Sequence, residues 1–158
     1  MKIVSGGQTG ADRAALDWAI DHQVPHGGWC PSGRLAEDGP IPDRYHLNEV
    51  PNEGGYRQRT RANVQDSDAT LIVSIEAELS GGSLETAKFC DRFGKPWLHV
   101  HPGMDWLASI SNWLTHTSIK TLNVAGPRAS REAGVASLTR EVLDEVWRLM
   151  TTLPDQSK

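Results

Sequence analysis

A glycine-rich turn follows the first apolar run of the chain and leads into an amphipathic segment. Residues 2–5 form a short apolar run suited to a buried strand, and residues 11–22 place apolar side chains on one helical face. Gly6, Gly7 and Gly10 lie between the two segments. Because glycine adopts positive φ angles and lets the backbone approach a neighbour closely, the pattern predicts a tight strand-to-helix turn of an α/β protein.

The rest of the chain continues this alternation of strands and helices. Runs rich in β-branched residues predict strands, and apolar residues three and four positions apart predict helices. The predicted strands are 26–30, 69–75, 97–101 and 119–124, and the predicted helices are 56–65, 84–93, 104–114 and 130–150. This order predicts a Rossmann-like three-layer α/β/α sandwich with a mostly parallel sheet. Residues 31–55 are polar and rich in glycine and proline, and predict a long connection with at most a short element near 45–50.

Length and composition restrict the domain organisation and the class of protein. A chain of 158 residues, of which 38% are hydrophobic, predicts a single globular domain at 1–150 and a frayed tail at 151–158. No apolar run reaches the roughly 18 residues that a membrane span needs, and the N-terminus lacks the apolar core of a signal peptide. Two cysteines and a net charge of −4 favour a reducing, cytoplasmic location and argue against general nucleic-acid binding.

The first glycine-rich turn is a candidate anion-binding loop. Its backbone N–H groups can converge on one anion, and the N-terminus of the following helix adds a partial positive charge. The pattern is neither the dinucleotide-binding G-x-G-x-x-G nor the P-loop, so no known motif specifies the ligand. The candidate binding residues are Gly6, Gly7, Gln8, Thr9, Gly10, Asp12 and Arg13. The alternative is a tight turn whose glycines serve packing alone.

A second glycine-rich turn follows the predicted strand 69–75 and precedes another helix. Its candidate phosphate-binding residues are Gly81, Gly82, Ser83 and Thr86. Ser83 has an equally good structural explanation as the N-cap of the helix 84–93. If the two strands are neighbours in the sheet, both helix N-termini converge on a single anionic ligand.

Several charged or reactive side chains near the predicted turns complete the set of candidates. They are Arg34 and Arg128 as anion clamps, and Cys30, Glu37, Arg59 and Arg61 as secondary contacts. Arginine suits phosphate because its guanidinium presents a planar fork of donors. The alternatives are a solvated loop for the charged residues and a structural thiol for Cys30.

Two histidines on one predicted strand form a possible metal pair. His99 and His101 are separated by one residue, so both side chains point to the same face of the strand. No third ligand lies at a convincing spacing, and no metal site is therefore predicted.

Taken together, these stretches resemble the family named putative molybdenum carrier proteins. The resemblance extends over residues 1 to about 150, and its most specific part is Ser-Gly-Gly-Gln-Thr-Gly-Ala-Asp-Arg at 5–13. The other matching stretches are 28–39, 59–68, 81–86 and 122–128. The resemblance implies a Rossmann-like fold, a phosphate-bearing or nucleotide-like ligand, and a homodimer or homotetramer.

That family is similar to the SLOG superfamily, which includes the lysine-decarboxylase-like LOG phosphoribohydrolases. Those enzymes carry Pro-Gly-Gly-x-Gly-Thr-x-x-Glu, in which the glutamate acts on an N-glycosidic bond. In this chain the loop reads Ser-Gly-Gly-Ser at 80–83, and the position three after Thr86 is Phe89. The resemblance therefore carries over the phosphate-binding turn but not the catalytic glutamate.

These patterns favour a binding protein over an enzyme. The favoured function is binding of a phosphorylated, nucleotide-like small molecule, and the resemblance makes molybdenum cofactor one candidate ligand. The alternative is a nucleotide N-glycosidase of the phosphoribohydrolase type, in which Asp12, Glu37 or Glu85 would supply the carboxylate beside the sugar. A third hypothesis is an interaction module with purely structural turns and with Trp106 or Trp113 at an oligomer interface.

Overall fold

The structure, a computed structural model, describes residues 1–152 and contains a central sheet of five parallel strands. These strands are β1 (Lys2–Val4), β2 (His26–Gly27), β7 (Ala69–Val73), β8 (Trp97–Val100) and β9 (Thr121–Ala125). Their order across the sheet is β2-β1-β9-β7-β8, and every neighbouring pair is parallel. The chain therefore leaves β1 toward one edge, builds the other edge with β7 and β8, and returns to the middle with β9.

Five helices cover the two faces of this sheet. They are α1 (Ala11–Asp21), α2 (Tyr56–Gln65), α3 (Gly81–Phe93), α4 (Trp106–His116) and α5 (Val135–Thr152). Helices α1, α4 and α5 pack together on one face, and α2 and α3 pack together on the other. The predicted three-layer α/β/α sandwich with a mostly parallel sheet is confirmed. Within residues 1–152, none of the helices combines the length and the apolarity needed to cross a membrane.

The main core lies between the sheet and the α1/α4/α5 layer. All five residues of β7 are buried, as the uninterrupted apolar run predicts for a strand covered on both faces. Trp18 is fully buried in this core, and its indole N–H donates to Asp144 at 2.7 Å. Burial of an indole removes roughly 200 Å² from water and contributes on the order of 5 kcal/mol. Trp106 and Trp113 are half-buried against the same core.

Helix boundaries differ from the predicted ones in two places that concern the site. Helix α3 begins at Gly81 rather than at residue 84, so Ser80 is its N-cap and Ser83 lies inside the first turn. Helix α5 begins at Val135 rather than at residue 130, because residues 126–134 form an irregular loop that ends at Gly134, with a φ of 85°. Helix α5 continues through Thr152, so residues 151–152 of the predicted frayed tail are helical, and residues 153–158 lie outside the described part.

The predicted strand 26–30 is also divided between two sheets. His26 and Gly27 pair with β1, whereas β3 (Trp29–Cys30) pairs in parallel with β6 (Asn48–Glu49). Gly28 separates them with a φ of 124°. A side chain at Gly28 would have its Cβ 2.5 Å from the carbonyl oxygen of Ser5, so only glycine allows the chain to change direction there.

The long connection at 31–55 is an ordered unit packed against α1. It contains β6, close to the predicted short element, and an unpredicted hairpin of β4 (Leu35–Ala36) and β5 (Gly39–Pro40). A small apolar cluster fixes the unit to the domain, and its buried members are Leu16, Cys30, Ile41 and Tyr45. The Tyr45 hydroxyl also donates to Asp17 of α1 at 2.7 Å.

Arg34 holds this unit together from the inside. Its guanidinium donates to the carbonyl oxygens of Ile41 at 3.1 Å, Pro42 and Tyr45 at 2.9 Å, and Leu47 at 3.4 Å. Four of its five N–H donors are used on backbone oxygens, so Arg34 is an internal brace of this unit. The sequence predicted an anion clamp at Arg34 because an arginine in a polar loop looks the same in sequence whether it binds a ligand or braces its own loop.

The substitution Arg34→Lys is expected to lower the free energy of unfolding by about 2 kcal/mol, because a single ammonium cannot reach four carbonyl oxygens that diverge from one fork. Both residues meet the same cost at the positive φ of 53°, so the backbone contribution cancels. Urea denaturation monitored by tryptophan fluorescence measures the difference. Arg61→Lys on the exposed side of α2 is the matched control and should change stability by less than about 0.5 kcal/mol. Equal effects for the two variants would contradict the bracing role.

Candidate functional site

An open cleft lies at the carboxyl ends of β1, β9 and β7, with α2 and the N-terminus of α3 along its sides. It contains about 830 Å³ of empty space, open solvent at its mouth included. The predicted site residues that line it are Gly6, Gln8, Asp12, Arg59, Gly82, Ser83, Thr86 and Arg128. The order of strands reverses between β1 and the β9–β7 pair, and parallel sheets place ligands at such a reversal.

The N-terminus of α3 presents unused hydrogen-bond donors to this cleft. Ser80 precedes the helix in an extended conformation, and its side chain makes no capping hydrogen bond. The first N–H groups of a helix have no intrahelical partner, and the helix dipole adds about half a positive charge at this end. Within the described residues 1–152, no heavy atom from outside this helix turn lies within 4 Å of the Cβ position of Gly82. The second glycine-rich turn is therefore open to a small anion.

Two arginines of the 126–134 loop line the cleft, and Arg131 lies beside this helix terminus. Arg131 donates to the Ser80 hydroxyl at 3.3 Å, which places its guanidinium next to the first turn of α3. Arg128 is exposed and, within residues 1–152, has no carboxylate within ion-pair distance. Glu132 from the same loop accepts hydrogen bonds from the backbone N–H groups of Ile75 at 2.6 Å and Glu76 at 3.3 Å, which offset its charge. The α3 side of the cleft is thus favourable to negative charge.

A buried ion pair forms the opposite wall. The Arg59 guanidinium donates to the Gly6 carbonyl oxygen at 3.0 Å and to the Asp12 carboxylate at 3.3 Å. Burial raises the pKa of Asp12, and the charge of Arg59 together with the N–H of Gln8 opposes that shift. A Cβ on Gly6 would overlap the Arg59 side chain, so Gly6 is the residue that lets this arginine pass. Arg59, predicted as a secondary contact of the ligand, thus contacts the first turn inside the protein.

The second half of the first glycine-rich turn is packed against the 126–134 loop, whereas Gly6 and Gln8 line the cleft. Gly10 has a φ of 84°, and its Cβ would lie 2.7 Å from the backbone nitrogen of Ala129. The Ala11 N–H at the start of α1 donates to the Pro127 carbonyl oxygen at 3.3 Å. Gly7, Thr9 and Gly10 do not line the cleft. Gly7 and Gly10 instead allow close packing with neighbouring residues.

The charged residues around this turn are paired with one another. Arg13 forms an ion pair with Asp38 and donates from Nε to the Gly7 carbonyl oxygen at 3.0 Å. This guanidinium lowers the pKa of Asp38. Glu37 accepts hydrogen bonds from Thr9 and from the Ser130 hydroxyl and N–H, and these bonds lower its pKa. The helix predicted at 130–150 therefore does not begin at Ser130, which ties the β4–β5 hairpin to the 126–134 loop.

The remaining secondary candidates lie away from the cleft. Cys30 is buried, and desolvation raises the pKa of its thiol. The guanidinium of Arg61 lies over the Phe93 ring, 5.8 Å from its centroid. Of the three carboxylates considered for cleavage of an N-glycosidic bond, Glu37 is tied to Ser130, and Glu85 is paired with Arg57 at 3.0 Å. Only Asp12 lines the cleft, and its carboxylate is already bound by Arg59.

Sequence reasoning missed several residues that line the cleft. They are Tyr56, Thr60, Asn63, Ser74, Glu78, Leu79, Ser80, Asn123, Val124, Ala125, Gly126, Pro127, Arg131 and Glu132. Asn123 had a visible signal, since an amide inside an apolar strand needs a partner, and it donates to Thr70 at 3.2 Å. Ser74 had none, because its role depends on the adjacent strand.

His99 lies in β8 and His101 follows its end, and His99 contacts Ser74 rather than sharing a metal site with His101. Nε2 of His99 lies 2.6 Å from the Ser74 hydroxyl, which lies 2.7 Å from the Glu76 carbonyl oxygen. A hydroxyl has one proton and the carbonyl only accepts, so His99 is the donor to Ser74 in this chain of bonds. Burial lowers the pKa of His99. The hydrogen bond between His99 and Ser74 fixes the turn that follows β7 at the edge of the cleft.

Comparisons with known proteins agree with the fold. The profile of a family described as "Circularly permutated YpsA SLOG family" matches residues 3–147. The chain is also similar to a solved structure from Syntrophus aciditrophicus SB named "Putative molybdenum carrier protein". The two sequences are 45% identical, the match covers 92% of this chain and 93% of that one, and the TM-score is 0.86. A comparison with curated proteins gave no match.

Proposed function

Because the chain belongs to the circularly permutated YpsA SLOG family, we propose that it binds a phosphate-bearing small molecule in the cleft, with the phosphate at the N-terminus of α3. The observation that carries this proposal is the open first turn of α3. Gly82 leaves room for a ligand there, no side chain of Ser80 caps the helix, and Arg131 stands beside it. A helix N-terminus with an adjacent guanidinium is a favourable site for an anion.

The balance of charges within the cleft supports an anion rather than a cation. Asp12 is neutralised by Arg59, and the carboxylate of Glu132 is bound by two backbone N–H groups. The remaining charged side chains of the lining are those of Arg128, Arg131 and Glu78, so two positive charges face one negative charge in this count. A dianionic phosphate at the α3 terminus would gain from both arginines and from the helix dipole.

Two classes of phosphate ester fit this proposal. One is a nucleotide, as the family resemblance implies, and the other is molybdenum cofactor, a phosphorylated pterin, as the name of the Syntrophus structure suggests. Within residues 1–152, no three His, Cys, Asp or Glu side chains are grouped to hold a metal ion. The chain's own groups would therefore hold either molecule through its phosphate and its ring. We extend the proposal to a carrier or sensor role, and to a homodimer or homotetramer in solution.

Native mass spectrometry of freshly purified protein, with an absorbance spectrum, is the direct test of this function. We expect a bound small molecule that denaturation releases and that contains phosphorus, and the same spectrum reports the number of subunits. For a protein isolated empty, titration calorimetry with AMP and with ribose 5-phosphate replaces this step. Absence of a copurified molecule together with no heat from either probe would overturn the proposal.

The substitution Arg131→Gln is expected to weaken binding of both AMP and ribose 5-phosphate about tenfold, since a charged hydrogen bond to phosphate is lost and the neutral side chain retains the packing. Arg61→Gln, which removes an arginine outside the cleft, is the matched control and should leave both dissociation constants unchanged. Titration calorimetry at low salt measures the two variants side by side. Equal affinities for Arg131→Gln and wild type would remove Arg131 from the phosphate site.

A further inference from the structure

We propose that the Tyr56 ring is the platform on which a planar ring of the ligand stacks, so that the cleft selects phosphate esters of aromatic heterocycles over simple sugar phosphates. This inference rests on the phosphate binding proposed above and adds a second subsite to it. Tyr56 is the first residue of α2 and lines the cleft that Gly82 also lines.

The exposure of Tyr56 is unusual within this molecule. Its side chain is 41% exposed, whereas the other Phe, Tyr and Trp residues of 1–152 are buried or half-buried. None of the hydrogen bonds within residues 1–152 uses its hydroxyl. An exposed aromatic ring that faces a cleft provides apolar area and a π-face to a ligand at little cost in side-chain entropy.

Two guanidinium groups adjoin the ring and differ in how firmly they are held. Arg59 lies 5.5 Å from the ring centroid and is fixed by the Gly6 carbonyl oxygen and by Asp12. Arg128 lies 5.9 Å from the centroid, is exposed, and has no ion-pair partner within residues 1–152. Arg59 holds the ring in place, and Arg128 is free to close over a bound heterocycle. Guanidinium groups stack on aromatic faces, so this gives a tyrosine–ligand–arginine arrangement.

The space in the cleft agrees with a ligand larger than a phosphate ion. The lining of the cleft extends from Gly6 and Arg59 on one wall to Gly82 and Arg131 on the other. Stacking on a π-face tolerates different heterocycles, so the subsite accepts a purine or a pterin alike. What it discriminates against is a phosphate ester that has no planar ring.

The test compares two probes that share ribose and phosphate and differ in the ring. Titration calorimetry with AMP and with ribose 5-phosphate is run on wild type, Tyr56→Ala and Tyr56→Phe. For wild type we expect AMP to bind at least about tenfold more tightly than ribose 5-phosphate. Tyr56→Ala should lose about tenfold for AMP and less than about twofold for ribose 5-phosphate, while Tyr56→Phe, which keeps the ring, should match wild type.

The outcomes separate this inference from the function on which it rests. Equal affinity of wild type for the two probes, or equal losses for both in Tyr56→Ala, would overturn the ring subsite and leave phosphate binding intact. No binding of either probe to wild type would overturn phosphate binding and the ring subsite with it. A second readout is the proton NMR signal of the adenine H2 and H8 atoms, which should move upfield on binding to wild type and not on binding to Tyr56→Ala.

Discussion

Gly82→Asp is expected to abolish binding of AMP and of ribose 5-phosphate, with at least a hundredfold loss of affinity for both. The new carboxylate would stand in the first turn of α3, where the proposed phosphate lies. Two like charges about 4 Å apart repel by roughly 4 kcal/mol at the effective dielectric of a protein surface, which corresponds to about a thousandfold in affinity. The free space around the Cβ position of Gly82 and its ordinary φ angle allow the substitution without backbone strain.

The fold should tolerate this change, which makes the result interpretable. An aspartate in the first turn of a helix interacts favourably with the dipole, by about 0.3 to 1 kcal/mol, so the melting temperature should stay the same or rise slightly. Gly82→Asn is the matched control, because it adds nearly the same volume without the charge. Undiminished affinity in a folded Gly82→Asp protein would contradict a phosphate site at this helix.

Gly126→Ala is expected to be the most destabilising single-methyl change in the cleft, with a loss of about 3 kcal/mol or more in the free energy of unfolding. A Cβ at this position would overlap the Val73 carbonyl oxygen and lie 2.6 Å from the Cβ of Ala11. Both neighbours belong to elements of the core, a central strand and the first turn of α1, and neither can move away cheaply.

Urea denaturation of Gly126→Ala and Gly82→Ala measures this effect against an internal reference. Gly82→Ala adds the same methyl group to open space in a helix, where alanine is favoured over glycine by roughly 1 kcal/mol. We expect opposite signs for the two variants. A Gly126→Ala protein with the stability of wild type would refute the close contact.

Sequence reasoning found the architecture because that information is periodic. The β-branched run of β7 and the stripe of apolar residues in α5 predict from their spacing which side chains are buried. Glycine-rich turns after β1 and β7 predicted the edge of the sheet where the cleft lies. The pattern could not distinguish the packed turn at Gly10 from the open turn at Gly82, because glycine has the same sequence signature in both situations.

The remaining features depend on contacts between distant parts of the chain. Arg34 and Arg59 look alike in sequence, but one is surrounded by the carbonyl oxygens of its own loop and the other passes over Gly6 to Asp12. Ser80 took the N-cap position that residue 83 was predicted to occupy, and helix ends are the least certain part of any assignment from sequence. The role of Tyr56 follows from exposure, which a single aromatic residue at a helix start does not reveal.

The central place of β9 has a consequence for the order in which the molecule can assemble. A growing chain makes β1 and β2 first and β7 and β8 later, yet these two pairs join only through β9, which comes fifth in the sequence of sheet strands. Until residues 121–125 have been synthesised, β1 and β7 keep open edges toward each other, and unpaired edges invite association with other chains. The same strand brings in the 126–134 loop, so the cleft cannot be complete before residues 121–134 have been synthesised. Nascent chains that stop short of it should therefore depend on chaperones and be unable to retain a ligand.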